Sequence, residues 1–313
     1  MQFLKGLAIS LLSLLLFLSL SVFSLVFMLN QTVLDPDFVT DQINKLNLPS
    51  IARETGIIEQ ISQSIGQQIS QQIGQQLPQA EEIMATVLND ILSENEPWIK
   101  QQANEAVYTF YDYILGESES FNLSISITPI KDSLAAKLSQ AVLESPPPQL
   151  TAVPQEMREQ IVSGLVQAFT QSMPTSFEVS ETMLPPDVMS TLDQVKQGIV
   201  YVQTAYWALI GFMVLLALLI TLIYRQVKGA TRSLGSTLLT YGVLGYASIF
   251  AAQYFLGTQI GAMGLPTALQ AWLPQFMNSL WSPLQTFNIA VAIAGLVLII
   301  VSIVYRREPA EAD

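Results

Sequence analysis

Four uninterrupted apolar runs constrain this chain more than anything else in it: residues 6–29, 204–224, 233–256 and 287–305 contain no Asp, Glu, Lys, Arg or His. An α-helix rises about 1.5 Å per residue, so about 20 residues cross a hydrocarbon core of about 30 Å. Each run is long enough to span. Charged residues make up only 12% of the chain, about half the share usual in soluble domains. The expected fold class is a mainly α integral membrane protein, with four transmembrane helices plus a helical extracytoplasmic domain that carries a small β-ribbon. The first run follows Lys5 at the N-terminus, so a cleaved signal peptide competes with a retained anchor. The run is longer than a usual signal-peptide core and ends without a small-x-small site, which favours a signal anchor.

Charge placement sets the expected orientation, because Lys and Arg of short loops are retained on the cytoplasmic side. Lys5, the group Arg225, Lys228 and Arg232, and the pair Arg306 and Arg307 all fall on one side of a four-span topology, whereas residues 257–286 carry no charge. Both termini are therefore expected in the cytoplasm of a multi-pass cell-membrane protein. The domains are then an N-terminal anchor at 1–29, an extracytoplasmic helical domain at 30–200, three membrane helices within 201–305, and a cytoplasmic tail at 306–313. Residues 30–200 hold 22 acidic and 7 basic side chains, net −15. Solubility and repulsion from anionic lipid explain that charge simply, and attraction of a basic partner explains it more specifically.

The composition removes many functions. The chain has no Cys and no His, which excludes thiolate nucleophiles, Ser-His-Asp triads, imidazole or thiolate zinc sites and disulfides. Its net charge of −12 and lack of a basic cluster argue against nucleic acid. Asp35-Pro36-Asp37 lacks the glycine and terminal Glu of a calcium loop and reads as a helix cap followed by proline at the first helical position. Spans without ionisable groups argue against a pump. Glu105, Tyr108, Tyr111, Asp112 and Tyr113 form the densest polar group, read as an aromatic core face edged by exposed carboxylates. No catalytic, cofactor or metal residue is expected.

Proline punctuation divides the outer segment into predicted helices at about 37–47, 50–76, 79–94, 97–115, 130–144, 155–172 and from 187 onward. Two alternating stretches, Phe121 to Ile127 and Phe177 to Ser180, predict strands that can pair. Val188, Leu192, Val195, Ile199, Val202 and Tyr206 follow a heptad spacing into the second span, which predicts either packing on a neighbouring helix or a lever between domain and membrane. In the third and fourth spans, Gly235, Gly242, Gly245, Ala251 and Ala252, with Ala290, Ala294 and Gly295, predict close helix packing.

Two patterns mark a candidate interaction surface. Ile57, Ile61, Ile65, Ile69 and Ile73 recur every fourth residue among Gln, Ser and Gly. A step of four overshoots the helical turn by about 40°, so the stripe winds around its helix. It is either a core helix crossing several neighbours or a helix that forms a groove or self-associates. Trp272, Phe276 and Trp281, read as one helical face with Leu265, Leu269, Leu273, Met277 and Leu280, predict an amphipathic interfacial helix at about 265–281, which either meets lipid or caps the outer domain.

Val33-Leu34-Asp35-Pro36-Asp37-Phe38, Tyr113-Ile114-Leu115-Gly116-Glu117, Leu123 to Ile127 and Pro129-Ile130-Lys131 resemble segments of an uncharacterised group of prokaryotic membrane proteins with an N-terminal span and a helical extracytoplasmic domain. The resemblance covers residues 1 to about 225 and implies no activity. The expected function is that of a non-enzymatic envelope protein whose outer domain binds a protein, lipid or envelope component. Its partners are then membrane lipids and such a component, with a homo-oligomer of the chain included. The alternatives are a lipid-handling or transporter-like protein with an apolar conduit and a sensor subunit acting through a membrane partner.

Overall fold

Hydrocarbon offers no hydrogen bonds, so a spanning backbone must satisfy its own, and helices do so. The computed structural model, which describes residues 2–73, 80–144, 153–171, 173–224, 226–260 and 264–304, has four helices long and apolar enough to cross a membrane. These are α1 (Gln2–Gln31), α9 (Pro186–Tyr224), α10 (Val227–Ile260) and α11 (Thr267–Val304). Between α1 and α9 come α2 (Pro36–Asn44), α3 (Leu48–Glu54), α4 (Ile57–Ile73), α5 (Ala80–Glu94), α6 (Glu96–Ile114), β1 (Asn122–Ser126), α7 (Thr128–Glu144), α8 (Gln155–Gln171) and β2 (Ser176–Ser180). The fold is that of a mainly α membrane protein with a two-stranded ribbon.

The chain divides into two units. One comprises Met1–Val39, Asp193–Met263 and Leu273–Asp313, and the other Thr40–Leu192 and Gly264–Trp272.

The first unit is the membrane bundle. Leu16 and Leu20 of α1, Leu216 and Ile220 of α9 and Tyr241 of α10 form its buried core, with Phe287 and Val291 of α11 packed against them. The Tyr241 hydroxyl donates to the Leu20 carbonyl at 3.0 Å, and the Ser302 hydroxyl donates to the Lys228 carbonyl at 2.9 Å. Apolar side chains such as Leu18, Leu218, Phe250 and Ile303 stay exposed, the arrangement expected where the surrounding solvent is lipid.

The hinge of this packing is the crossing of α10 and α11. A Cβ at Gly242 would lie 2.5 Å from the Asn288 carbonyl and 2.6 Å from the Ala292 nitrogen, and one at Gly235 would lie 2.8 Å from the Gly295 carbonyl. A Cβ at Gly245 would meet Asn288 Oδ1, and one at Gly295 would meet the Leu239 nitrogen. The glycines therefore set the backbone separation, as expected. The alanines do not all join them, because Ala251, Ala290 and Ala294 are exposed and Ala292 occupies the contact. Next to the crossing, Phe23 stacks near Tyr206 at 5.2 Å and Phe287 at 5.5 Å, and Phe27 lies 5.4 Å from Phe287. This aromatic cluster joins three helices and follows no periodicity within any single run.

The second unit has the opposite polarity. Met84, Val87 and Ile91 of α5, Leu134 and Leu138 of α7 and Val162 and Val166 of α8 form a buried three-helix core. Lys137 pairs with Glu94 across α7 and α5, and hydrogen bonding to that carboxylate holds the ammonium above the ordinary lysine range. β1 and β2 pair antiparallel, with Leu123 opposite Val179 and Ile125 opposite Phe177 on one face and Ser124 opposite Glu178 on the other. The pairing expected of both stretches is observed, but the burial alternation expected of both appears only in β1, because Phe177 of β2 is exposed. Tyr111 and Tyr113 are buried, and the Glu105 carboxylate accepts from the Gln101 and Gln102 amides.

Three expected helices are corrected. The helix expected over 50–76 is two helices, because Gly56 adopts φ 71° and its N–H closes on the Arg53 carbonyl at 3.1 Å, ending α3. Asn47 caps that helix through a 3.0 Å bond from the Ser50 amide, so the 37–47 helix stops at Asn44. The tail at 74–76 lies outside the described residues. The helix expected at about 265–281 is not separate, since it forms the first half of α11, with Pro274 and Pro283 inside the helix.

Enlarging a crossing glycine should therefore disrupt the bundle. Gly295→Leu is expected to lower thermal stability in detergent, whereas Ala290→Leu leaves it unchanged. In the other unit, Ile91→Ala is expected to cost about 2–5 kcal/mol by denaturant titration.

Candidate functional site

Exposed apolar area is informative where it has a shape and the unit that carries it otherwise buries its apolar side chains in a core. On α4, Ile57 is 45% exposed and Ile61 is 42% exposed, while their sequence neighbours Ile58 and Ser62 are 3% and 2% exposed. Successive residues turn by about 100°, so Ile58 and Ser62 mark the packed direction about 100–140° from Ile57, and Ile61 stands only about 40° from it. The Ser62 hydroxyl donates to the Ile58 carbonyl at 2.5 Å, which satisfies it within the helix. α4 packs on α5 and α3 through that side.

The first two residues of the repeat are therefore surface, not core. Gln60, at i+3, and Ser64, at i+7, are also exposed and complete the same face, with Gln67 at its edge. These polar members were missed because attention to the apolar period passed over them; the i, i+3, i+4, i+7 spacing is the signal that finds them. The side chains of Ile65, Ile69 and Ile73 lie outside what is described. Glu59 stands about 200° from Ile57 and leaves the face uncharged.

The Trp-bearing stretch is divided by the units. Within the second unit, the Trp272 indole donates to the Gln42 carbonyl at 3.2 Å and the Ala268 amide donates to Glu54 Oε2 at 3.3 Å. The carboxylate satisfies an amide in the first turn of α11, where the partial positive charge favours it. Within the first unit, the Phe276 ring lies 6.3 Å from that of Phe38. Trp281 is half-buried, and its Nε1 has no hydrogen-bond partner among the described residues. Leu284 and Asn288 continue this side of the helix and are buried. Trp272, Phe276 and Trp281 are each partly buried, while Gln270, Gln275, Asn278 and Ser282 are exposed; Trp272 and Trp281, nine residues apart, stand about 180° from each other on the helix and do not share one face. Ile57, Ile61 and Trp272 belong to the second unit, and Phe276 and Trp281 to the first.

Among the described residues, no three acidic side chains gather in a way that could hold a metal ion. The α4 face can offer two branched aliphatic anchors, amide donors and acceptors, and a hydroxyl, which suits recognition of another surface. Comparison with protein-family models, curated proteins and solved structures finds no match.

The face assignment predicts opposite outcomes at adjacent positions. Ile61→Asp is expected to leave unfolding within about 0.5 kcal/mol of the parent. Ile58→Asp, which buries a charge, should cost more than about 4 kcal/mol. Denaturant titration with near-ultraviolet circular dichroism checks both.

Proposed function

We propose that the chain is a non-enzymatic, membrane-anchored envelope protein whose helical unit recognises a protein, lipid or envelope component through α4. In this reading α1 is a retained signal anchor, both termini are cytoplasmic, and residues 30–200 lie on the extracytoplasmic side. The distribution of Lys and Arg supports the orientation. The observation that carries the recognition role is the exposed pair Ile57 and Ile61 on an otherwise acidic unit. Water-facing aliphatic side chains ordered on one helical face are the usual anchors of helix recognition.

The test uses the whole protein in lipid nanodiscs, with native mass spectrometry and affinity recovery from envelope extract. The parent is expected to retain a reproducible partner or bound amphiphile that the Ile57→Asp, Ile61→Asp double variant loses. Recovery of nothing, or equal recovery by both proteins, contradicts the reading.

A further inference from the structure

The α4 face is unusual for its lack of charge. Residues 60–80 contain no Asp, Glu, Lys or Arg, although they sit within the segment of net −15. At physiological salt, charges interact over about 8 Å. Two copies approaching through most of this unit's surface would bring carboxylates together. At α4 they would bring together Ile57, Gln60, Ile61, Ser64 and Gln67, all exposed and all neutral.

The same chemistry disfavours other occupants. A basic partner finds no carboxylate among the face's own residues, since Glu59 stands about 200° from Ile57 on the helix. Helices that lie on anionic lipid carry Lys or Arg on their polar side, and α4 has neither. A second copy, by contrast, is matched by construction. Each Gln amide carries both donors and acceptors, so Gln60 and Gln67 can bond to the identical groups of a copy. The exposed isoleucines supply apolar contact, and the small Ser64, about one turn beyond Ile61, lets the backbones approach.

We propose that α4 is a self-association surface, and that its partner is α4 of a second copy in the same membrane. This rests on the reading of α4 as the recognition surface and names its occupant. Both copies are inserted in the same direction, so the contact is isologous about an axis along the membrane normal. Confinement to one bilayer raises the effective concentration of the second copy, and a modest face suffices.

The absence of cysteine makes the test direct, because a single introduced thiol can form a disulfide only with another molecule. Ser64→Cys and Gln60→Cys in the full-length chain, oxidised in native membranes, are expected to give a dimer, whereas Glu59→Cys stays monomeric. Adding Ile61→Asp to Ser64→Cys should reduce the dimer to background. Monomers from both Ser64→Cys and Gln60→Cys overturn the proposal, as does equal dimer from all three positions. If the monomeric chain still loses an envelope partner when Ile57 and Ile61 are changed to Asp, self-association fails and recognition by α4 stands. If neither dimer nor partner depends on these residues, both fail.

Discussion

Everything in this fold depends on the exclusion of charge and unpaired backbone from hydrocarbon. Spans free of ionisable residues can enter the bilayer only as helices, and once there they gain little from hiding apolar side chains from one another. Close backbone approach then does the work. Gly235, Gly242, Gly245 and Gly295 bring α10 and α11 into contact at separations that a methyl group would prevent, and the Tyr241 hydroxyl ties α1 to α10 through a backbone carbonyl. The buried Asn288 amide donates to the Leu284 carbonyl inside this contact.

The other unit follows the opposite rule. Its core of Met84, Val87, Ile91, Leu134, Leu138, Val162 and Val166 is hidden as in a soluble domain. Against that background an exposed aliphatic pair has meaning, whereas the same exposure on α1 or α9 is ordinary contact with lipid. Exposed area is a clue to recognition only after the solvent of each surface has been identified.

Much of this architecture was legible in the chain because lipid and strand alternation write long or regular patterns. The spans, the ribbon, most outer helices and the glycine contact come directly from such patterns. The breaks at Asn47 and Gly56 were harder to read. One is a side-chain cap and the other a single left-handed residue, and both are local events inside a longer apolar rhythm. What covers the Trp-bearing stretch of α11 was not legible, because an amphipathic face reports only that something apolar lies against it. Lipid and protein satisfy the same spacing. The cluster of Phe23, Phe27, Tyr206 and Phe287 was invisible because its members come from separate helices.

Topology is where the account is most directly exposed. Gln140 and Gln226 are both exposed residues in a chain without cysteine, so each can carry a single thiol for labelling with a membrane-impermeant maleimide. Gln140→Cys should label in intact cells, and Gln226→Cys only after the membrane is opened. Labelling in the reverse order, or of both positions in intact cells, would contradict the placement of the acidic unit outside and the basic turn inside.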